Sequence, residues 1–332
     1  MQPPARALWF VAPRRVEIGS IEVVEPEEGE ALVETLFSGI SSGTELLAFR
    51  GQIDPDLPLD DTIGALGGTF RYPFRYGYSC VGTVTRSRSP IPEGSLVFAF
   101  HPHQDRFVAP AVDLVVLEGH AREATLFPLV ETALQIVLDA GPVLGTRVAV
   151  FGLGAVGATT ALLLRRSGAR VVAIDPSPWR RDLVKALGDR DLATVDPADA
   201  HSAIESGGGP VPLVIEASGN PAALDVGLDL LAHEGVALVA SWYGAKQVQL
   251  PLGGAFHRRR LTIRSTQVST IPARLAGSWD MARRHEAVVG LLAELPLSQL
   301  ASHVYPFDEA GKAYAALDRS EDGIMHVALE YR

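Results

Sequence analysis

The chain has 332 residues, enough for two domains of ordinary size. Its 47% hydrophobic and 20% charged residues are typical of a globular protein, and its net charge of −10 argues against nucleic acid as a partner, because phosphates require a basic surface. The single cysteine, Cys80, excludes an internal disulfide framework and a multi-cysteine zinc site. We expect no signal peptide and no membrane span, and therefore a cytoplasmic protein.

The first third of the chain has the pattern of short β-strands separated by turns. Apolar runs bounded by Gly, Pro and Ser clusters predict the strands Ala31–Phe37, Cys80–Thr85, Ser95–Phe100 and Asp113–Leu117. Their spacing indicates a β-rich, partly barrel-like domain. Gly51–Thr69 is rich in Asp, Pro and Gly and predicts a long loop, a kind of segment that is often functional.

The pattern changes to alternating helices and strands after about residue 121. Glu123–Ala140 has helical spacing and ends at Gly141-Pro142. The elements predicted next are the strand Val148–Phe151, a helix near 155–167, the strand Val171–Ile174, a helix near 178–188 capped by Ser177, the strand Leu213–Glu216, the helix Ala222–Leu231, the strands Val236–Ala240 and Leu261–Val268, helices near 280–293 and 308–318, and the strand Met325–Tyr331. This βαβ rhythm predicts an α/β fold with a parallel sheet covered on both faces.

A glycine-rich turn, Gly152-Leu153-Gly154-Ala155-Val156-Gly157, joins one predicted strand to the next helix. In a G-x-G-x-x-G turn of this kind, Gly152 makes the tight turn, Gly154 lets the backbone approach a pyrophosphate, and Gly157 lets the helix pack close to the sheet. The N-terminus of the helix adds N–H donors and a positive dipole end. A lone glycine motif would indicate only an ordinary turn, but the strand–turn–helix setting predicts dinucleotide binding.

The next strand ends in Asp175, eighteen residues past Gly157. An acid at this place accepts hydrogen bonds from the adenosine ribose and repels a 2′-phosphate, which predicts NAD as the cofactor. Arg180 and Arg181 follow closely and could stack on adenine. Because a guanidinium also suits a phosphate, NADP stays the alternative.

Four further segments carry a resemblance to the medium-chain dehydrogenase/reductase superfamily. They are Ser38–Glu45, Tyr76–Val84, Glu131–Leu134 and Glu216–Gly219. The resemblance covers nearly the whole chain and implies a GroES-like β-rich catalytic domain, residues 1–128 together with 268–332, and a Rossmann domain with a doubly wound parallel sheet, residues 129–267. It also implies a homodimer formed edge to edge through the Rossmann sheet.

The metal-ligand positions of the zinc alcohol dehydrogenases in this superfamily are changed here. Where their motifs G-I-C-G-x-D-x-H and G-H-E-x-x-G supply ligands, this chain has Ser41 for the cysteine, Leu46 for the histidine, and Tyr78 and Ser79 for the His-Glu pair, with Pro128 at the third position. A catalytic zinc needs about three nitrogen, sulfur or carboxylate ligands. The chain is therefore identified as a zinc-free member. Two segments, Ile40–Glu45 and Phe98–His103, resemble the branch of bacteriochlorophyllide 3-hydroxyethyl dehydrogenases and related bacterial alcohol dehydrogenases.

Without zinc, hydrogen-bond donors or an acid must manage the charge on the substrate oxygen. Tyr78 could donate from the former histidine position, or pack as an aromatic residue; Ser41 lies at the former cysteine position. Glu45, beside Thr44 in a loop that the resemblance places along the cleft, could transfer protons, or bind a neighbouring N–H or basic residue. His101 or His103 could be a general acid–base, or both could be surface histidines.

Three interpretations of individual segments stay open at this point. His101, His103, Asp105 and Glu45 could form an unusual metal site, although their spacing does not require it. Trp242–Gly244 could cover the nicotinamide or pack in the core. Phe70–Tyr76 could contact a large or anionic substrate, or brace the barrel.

On the cofactor side, the resemblance brings Thr132 towards the nicotinamide and places the turn Ala217-Ser218-Gly219 near its ribose. The function predicted from all these features is zinc-independent, NAD(H)-dependent interconversion of a secondary alcohol and a ketone, by hydride transfer in the cleft between the domains. The substrate would be a small molecule. One alternative is reduction of an activated C=C bond with NAD(P)H, and another is a dinucleotide-binding protein without turnover.

Overall fold

The structure is a computed structural model that describes residues 4–188 and 192–332. Its strands are β1 (Ala5–Ala12), β2 (Arg15–Ile21), β3 (Glu30–Ile40), β4 (Cys80–Ser87), β5 (Leu96–Ala99), β6 (Arg106–Pro110), β7 (Leu114–Val116), β8 (Arg147–Phe151), β9 (Arg170–Ile174), β10 (Ala193–Val195), β11 (Val211–Glu216), β12 (Leu231–Val239), β13 (Thr262–Ser265), β14 (His303–Pro306) and β15 (Val327–Glu330). Its α-helices are α1 (Thr44–Arg50), α2 (Ala121–Ala124), α3 (Phe127–Ala140), α4 (Ala155–Arg166), α5 (Pro178–Leu187), α6 (Ala200–Ser206), α7 (Pro221–Leu230), α8 (Ala255–Arg258), α9 (Met281–Glu294) and α10 (Ala310–Asp318). In these described ranges no helix has the length and apolar character needed to cross a membrane.

The chain divides into two compact units. The first comprises Met1–Pro128 with His285–Arg332, and the second comprises Leu129–Arg284. Residues 268–284, which we expected in the first domain, therefore belong to the second unit. Their anchor is the buried Arg284, which donates to the Val268 carbonyl at 2.6 Å and to the Glu131 carboxylate at 3.0 Å. A buried guanidinium needs such partners, and these lie in the second unit.

The first unit is built on a seven-stranded sheet in the order β14-β15-β3-β4-β5-β7, with β6 also paired to β3. The four strands predicted in this part of the chain are confirmed as β3, β4, β5 and β7. The sequence analysis missed the hairpin of β1 and β2, whose short connection contains Arg14 in the left-handed region at φ 60°. Because a non-glycine residue takes that conformation here, the usual Asn-Gly or Asp-Gly hairpin signal is missing.

An aromatic cluster fills the core of the first unit. Phe10 stacks on Phe74 at 5.2 Å between ring centroids and meets the edge of Tyr314 at 5.4 Å. Phe70 and Tyr76 are buried in the same cluster. Burial of each such ring contributes about 1.5–3 kcal/mol to stability. The aromatic residues of the Phe70–Tyr76 segment therefore brace the barrel rather than offer a substrate surface.

The second unit is a six-stranded parallel sheet in the order β10-β9-β8-β11-β12-β13. Counted from β8, this is the doubly wound order 3-2-1-4-5-6 of dinucleotide-binding folds, and the predicted parallel sheet is confirmed. The central strand β8 is buried on both sides, and Val150 pairs with Ala173 of β9 and Ile215 of β11. The carboxyl ends of these three strands consequently lie side by side at one edge of the sheet.

The helix predicted over Glu123–Ala140 is in fact two helices, α2 and α3. At the break, the carbonyl of Thr125 accepts a hydrogen bond from the Ser79 hydroxyl at 2.8 Å instead of one from within a helix. Pro128, in the first turn of α3, has no backbone N–H to continue the ladder. Other boundaries follow the sequence more closely: Ser177 caps α5 as predicted, and Gly141 follows α3 with φ 77°.

Candidate functional site

The glycine turn after β8 has the geometry that the motif predicts. Gly152 lies in the left-handed region at φ 87°, and a Cβ there would stand 2.5 Å from the Ser218 Cα atom. A Cβ at Gly157 would stand 1.9 Å from the Gly152 carbonyl oxygen. A Cβ at Gly154 would meet nothing within 4 Å, because this glycine faces open space at the N-terminus of α4. The turn thus leaves room for a ligand at Gly154 and none at Gly152 or Gly157.

Two glycine substitutions separate packing from ligand binding. We expect Gly157→Ala to lower the free energy of unfolding by about 1–3 kcal/mol, because its Cβ would overlap backbone. Gly154→Ala should change it by less than about 0.5 kcal/mol, since Gly154 has an ordinary φ of −66°. Gly154→Ala should nevertheless weaken dinucleotide binding. Urea unfolding and a binding titration on both variants test this, and equal destabilisation of the two would contradict it.

Asp175 lies at the end of β9, beside this turn, and is buried. Its carboxylate accepts hydrogen bonds from the Leu153 N–H at 2.7 Å and the Ser177 N–H at 2.8 Å, one on each oxygen. Each oxygen keeps a lone pair for a further donor. The Arg180 guanidinium is 3.9 Å from the carboxylate, whereas Arg181 is held by the Asp175 carbonyl at 2.6 Å. Of the two arginines proposed to contact adenine, Arg181 is therefore already engaged with backbone.

The turn after β11 lies against the glycine turn. The Ala217 N–H donates to the Phe151 carbonyl at 2.8 Å, and the Gly219 N–H donates to the Ser241 hydroxyl at 2.8 Å. Thr132, the remaining predicted cofactor contact, lies partly buried in α3. The glycine, aspartate and Ala217–Gly219 segments thus meet at one edge of the second unit's sheet. A dinucleotide fits this edge, which combines the open turn at Gly154, the N-terminus of α4 and the Asp175 carboxylate with its free lone pairs.

In the first unit the structure brings together Tyr78, Ser41 and Thr44. The Ser41 and Thr44 side chains lie close enough to the Tyr78 hydroxyl to lower the pKa of this phenol slightly. Burial, with a smaller contribution from the Glu45 charge, raises the pKa of Tyr78 to about 12. The phenol is therefore protonated at neutral pH and available as a hydrogen-bond donor. We refer to these three residues as the hydroxyl cluster.

Glu45 lies in the helix α1, not in a loop as expected, and is fully buried. One carboxylate oxygen accepts the Ser41 N–H at 2.8 Å. The other accepts hydrogen bonds from His103 Nε2, at 2.9 Å, and from the Tyr314 hydroxyl. Of the two roles considered for Glu45, these contacts match the binding of a neighbouring N–H or basic residue. Glu45 supports the Ser41 backbone from within the core.

The hydrogen bonds continue from His103 to a second tyrosine. His103 Nδ1 is 2.7 Å from the Ser38 hydroxyl, which is 2.8 Å from the Tyr331 hydroxyl. Tyr314, Glu45, His103, Ser38 and Tyr331 therefore form one buried chain, the buried network. Sequence reasoning missed the two tyrosines, because they lie hundreds of residues from Glu45 and Ser38 and no local pattern joins them.

His101 is not part of the hydroxyl cluster. Its ring stacks on Phe107 at 3.9 Å between centroids, and burial lowers the pKa of His101 to about 4. It lines a surface cavity of about 370 Å³ with Trp9 and Arg75. The contacts of His101 therefore give no support to the acid–base role that we considered for it.

The four residues considered as an unusual metal site do not converge. His103 pairs with Glu45, whereas the Asp105 carboxylate is bound by the Arg6 guanidinium at 3.1 Å. In the two described segments, no three His, Cys, Asp or Glu side chains are placed to hold a metal ion.

The five positions aligned with zinc ligands in the resembling dehydrogenases do not fit that metal. Leu46 is buried in the aromatic core, and the Ser79 hydroxyl donates to a backbone carbonyl. Ser41 and Tyr78 belong to the hydroxyl cluster, and Pro128 has no ligating side chain. Zinc requires nitrogen, sulfur or carboxylate ligands, and these side chains supply none.

Comparison with known proteins supports the same family. A protein-family model described as zinc-binding dehydrogenase matches residues 155–284. The 2-desacetyl-2-hydroxyethyl bacteriochlorophyllide A dehydrogenase of Cereibacter sphaeroides is 25% identical over 98% of both chains. The sorbitol dehydrogenase of Mus musculus is 28% identical over 71% of this chain and 63% of its own length. An Escherichia coli CFT073 alcohol dehydrogenase solved with NADH shares the fold, with a TM-score of 0.78 and 15% identity over 98% and 99% of the two chains.

These findings support a medium-chain, alcohol dehydrogenase-like member of the superfamily. The predicted superfamily and its α/β class, with GroES-like and Rossmann domains, are confirmed. Like its dehydrogenase relatives, this chain is an oxidoreductase.

Proposed function

We propose that this oxidoreductase interconverts a secondary alcohol and a ketone with NAD(H) and without zinc. The observation that carries the proposal is the hydroxyl cluster: the Ser41 and Thr44 side chains lie beside the Tyr78 phenol, at or beside positions where zinc-dependent relatives carry ligands. An array of donors can stabilise charge on a substrate oxygen in place of a Lewis acid. The cofactor half of the proposal is supported by Gly154 and Asp175.

The nicotinamide, when bound, supplies or accepts the hydride. The chain's own contribution is made by Tyr78, whose phenol donates a hydrogen bond to a carbonyl oxygen and protonates it as charge develops. Because the pKa of Tyr78 is about 12, the phenol is a poor base near neutral pH. The protonated phenol is therefore in the state that ketone reduction requires, and the Ser41 and Thr44 side chains lie beside it.

Removal of metal should leave turnover unchanged. We expect dialysis against a strong chelator to change ketone reduction by less than about twofold, because Ser41, Tyr78 and Pro128 offer no zinc ligand set. The measurement is the NADH oxidation rate before and after chelation, with elemental analysis of the same sample. Stoichiometric zinc, together with activity lost on chelation and restored by Zn²⁺, would contradict the proposal.

Cofactor choice should follow Asp175. We expect NADH to bind at least about tenfold more tightly than NADPH, since the buried carboxylate repels a 2′-phosphate. Arg180, 3.9 Å away, offsets part of that charge and is the feature that could admit NADP. Fluorescence titration with both cofactors checks the preference. The variant Arg180→Gln should widen it, and tighter binding of NADPH by the wild-type chain would refute it.

The remaining properties of the proposed enzyme stay predictions. A small-molecule ketone or alcohol is the expected partner. A homodimer through the Rossmann sheet would pair the edge strand β13 with its copy. Sedimentation analysis tests the dimer, and cell fractionation tests the expected cytoplasmic location.

A further inference from the structure

We infer that the buried carboxylate of Glu216 makes this enzyme bind the oxidised nicotinamide cofactor in preference to the reduced one. The inference rests on the proposed NAD(H) function and assigns a role to a residue that the proposed chemistry leaves unused. Glu216 ends β11, the first strand of the second half of the doubly wound sheet.

The Glu216 carboxylate acts as an acceptor in each of its three hydrogen bonds. Its side chain is fully buried. One oxygen accepts the Ser218 N–H at 2.7 Å and the Ser218 hydroxyl at 2.5 Å, and the other accepts the Tyr243 hydroxyl at 2.7 Å. Burial and the Glu216 charge both raise the pKa of Tyr243, so this phenol keeps its proton and donates. Three neutral donors thus hold a negative charge inside the protein.

This charge lies beside the ligand cradle. Ser218, which donates two hydrogen bonds to Glu216, is also the residue whose Cα atom lies 2.5 Å from a Cβ built on Gly152. In a doubly wound sheet the half containing Asp175 takes the adenosine, so the half that starts with β11 takes the nicotinamide. Glu216 is therefore on the nicotinamide side of the glycine turn.

The charge of the nicotinamide ring determines which redox form of the cofactor binds more tightly near Glu216. The oxidised nicotinamide ring carries a positive charge, whereas the reduced ring is neutral. A carboxylate held in a medium of low dielectric constant attracts the first and is indifferent to the second. The cation Lys246 donates to the Gly219 carbonyl at 2.8 Å and opposes this attraction. Because its side chain is exposed, water and salt screen its charge more strongly than they screen Glu216.

The test measures the dissociation constants of NAD⁺ and NADH by calorimetry for the full-length wild-type chain and three variants. Glu216→Gln keeps the shape and removes the charge, and it should weaken NAD⁺ roughly five- to twentyfold while changing NADH by less than about twofold. Tyr243→Phe is the matched control, since it removes one donor to Glu216 and leaves the charge. It should affect both cofactors alike. Lys246→Met should strengthen NAD⁺ alone, by about twofold.

The outcomes separate this inference from the proposed function. If the wild-type chain binds neither NAD⁺ nor NADH, the proposed function fails, and this inference with it. If both bind but Glu216→Gln weakens them equally, Glu216 is structural and the inference alone is overturned. If Glu216→Gln does not fold, the wild-type chain decides, and NADH that binds as tightly as NAD⁺ or more tightly overturns the inference.

Discussion

Replacement of Tyr78 by phenylalanine should lower the turnover of ketone reduction by about 10²–10⁴-fold, the contribution typical of a positioned proton donor. The change removes one oxygen atom and keeps the ring that packs against Tyr76 at 6.0 Å. Dinucleotide affinity should stay within about twofold, because Tyr78 belongs to the first unit and the predicted cofactor contacts belong to the second. Steady-state kinetics and NADH titration on the same preparation measure the two quantities.

Tyr76→Phe is the matched control for this substitution. It removes a phenol from a neighbouring buried ring that is not one of the three residues of the hydroxyl cluster. Turnover should stay within about threefold of the wild type. Wild-type turnover in Tyr78→Phe would remove Tyr78 as the donor and leave the Ser41 and Thr44 hydroxyls to be tested.

The pH dependence of ketone reduction is a second test of the Tyr78 phenol. With a pKa of about 12, the protonated phenol persists across the whole range in which the protein can be assayed. The reduction rate should therefore show no loss from Tyr78 ionisation between pH 7 and about pH 10. A decline with a midpoint near pH 8 that disappears in Tyr78→Phe would show that Tyr78 ionises far more easily than its burial implies.

The cofactor half of the site could be predicted from sequence because its determinants are local. Gly152, Gly154 and Gly157 lie on one turn, and Asp175 ends the next strand, so four positions within 24 residues specify the cradle. Each acts through backbone conformation or a short hydrogen bond. Strand and helix periodicity place such residues reliably at the carboxyl edge of a parallel sheet.

For the hydroxyl cluster and the buried network, the sequence predicted some of the residues but not their arrangement. Ser41 and Tyr78 were named from their positions in two motifs, but the helix α1 that begins at Thr44 was not predicted. The partner of Glu45 on α10, Tyr314, is 269 residues away along the chain. Such contacts depend on tertiary packing, to which hydrophobic periodicity is insensitive.

The buried network should be strongly coupled, and loss of Glu45 is expected to have the largest effect on stability. Glu45→Ala would leave His103 Nε2, the Tyr314 hydroxyl and the Ser41 N–H without their acceptor inside the core. Breaking a buried pair in this way costs about 3–5 kcal/mol of the free energy of unfolding. Urea denaturation at neutral pH measures it. Arg6→Met is the control. Arg6 forms an ion pair with Asp105 and its side chain is 36% exposed, so its loss should lower the free energy of unfolding by no more than about 1 kcal/mol.

A double-mutant cycle decides whether Glu45 and His103 act as a unit. His103→Ala alone also strands a buried carboxylate, so each single substitution carries a penalty for the partner left behind. The double variant removes both groups and should be less destabilised than the sum of the single variants by about 0.5–3 kcal/mol. Additivity within about 0.5 kcal/mol would mean that the 2.9 Å contact between His103 Nε2 and the Glu45 carboxylate contributes little to stability. Because Glu45 also accepts the Ser41 N–H, coupling in the cycle would link the geometry of the hydroxyl cluster to a hydrogen-bonded pair in the core. Glu45→Gln should then lower turnover more than it lowers cofactor affinity.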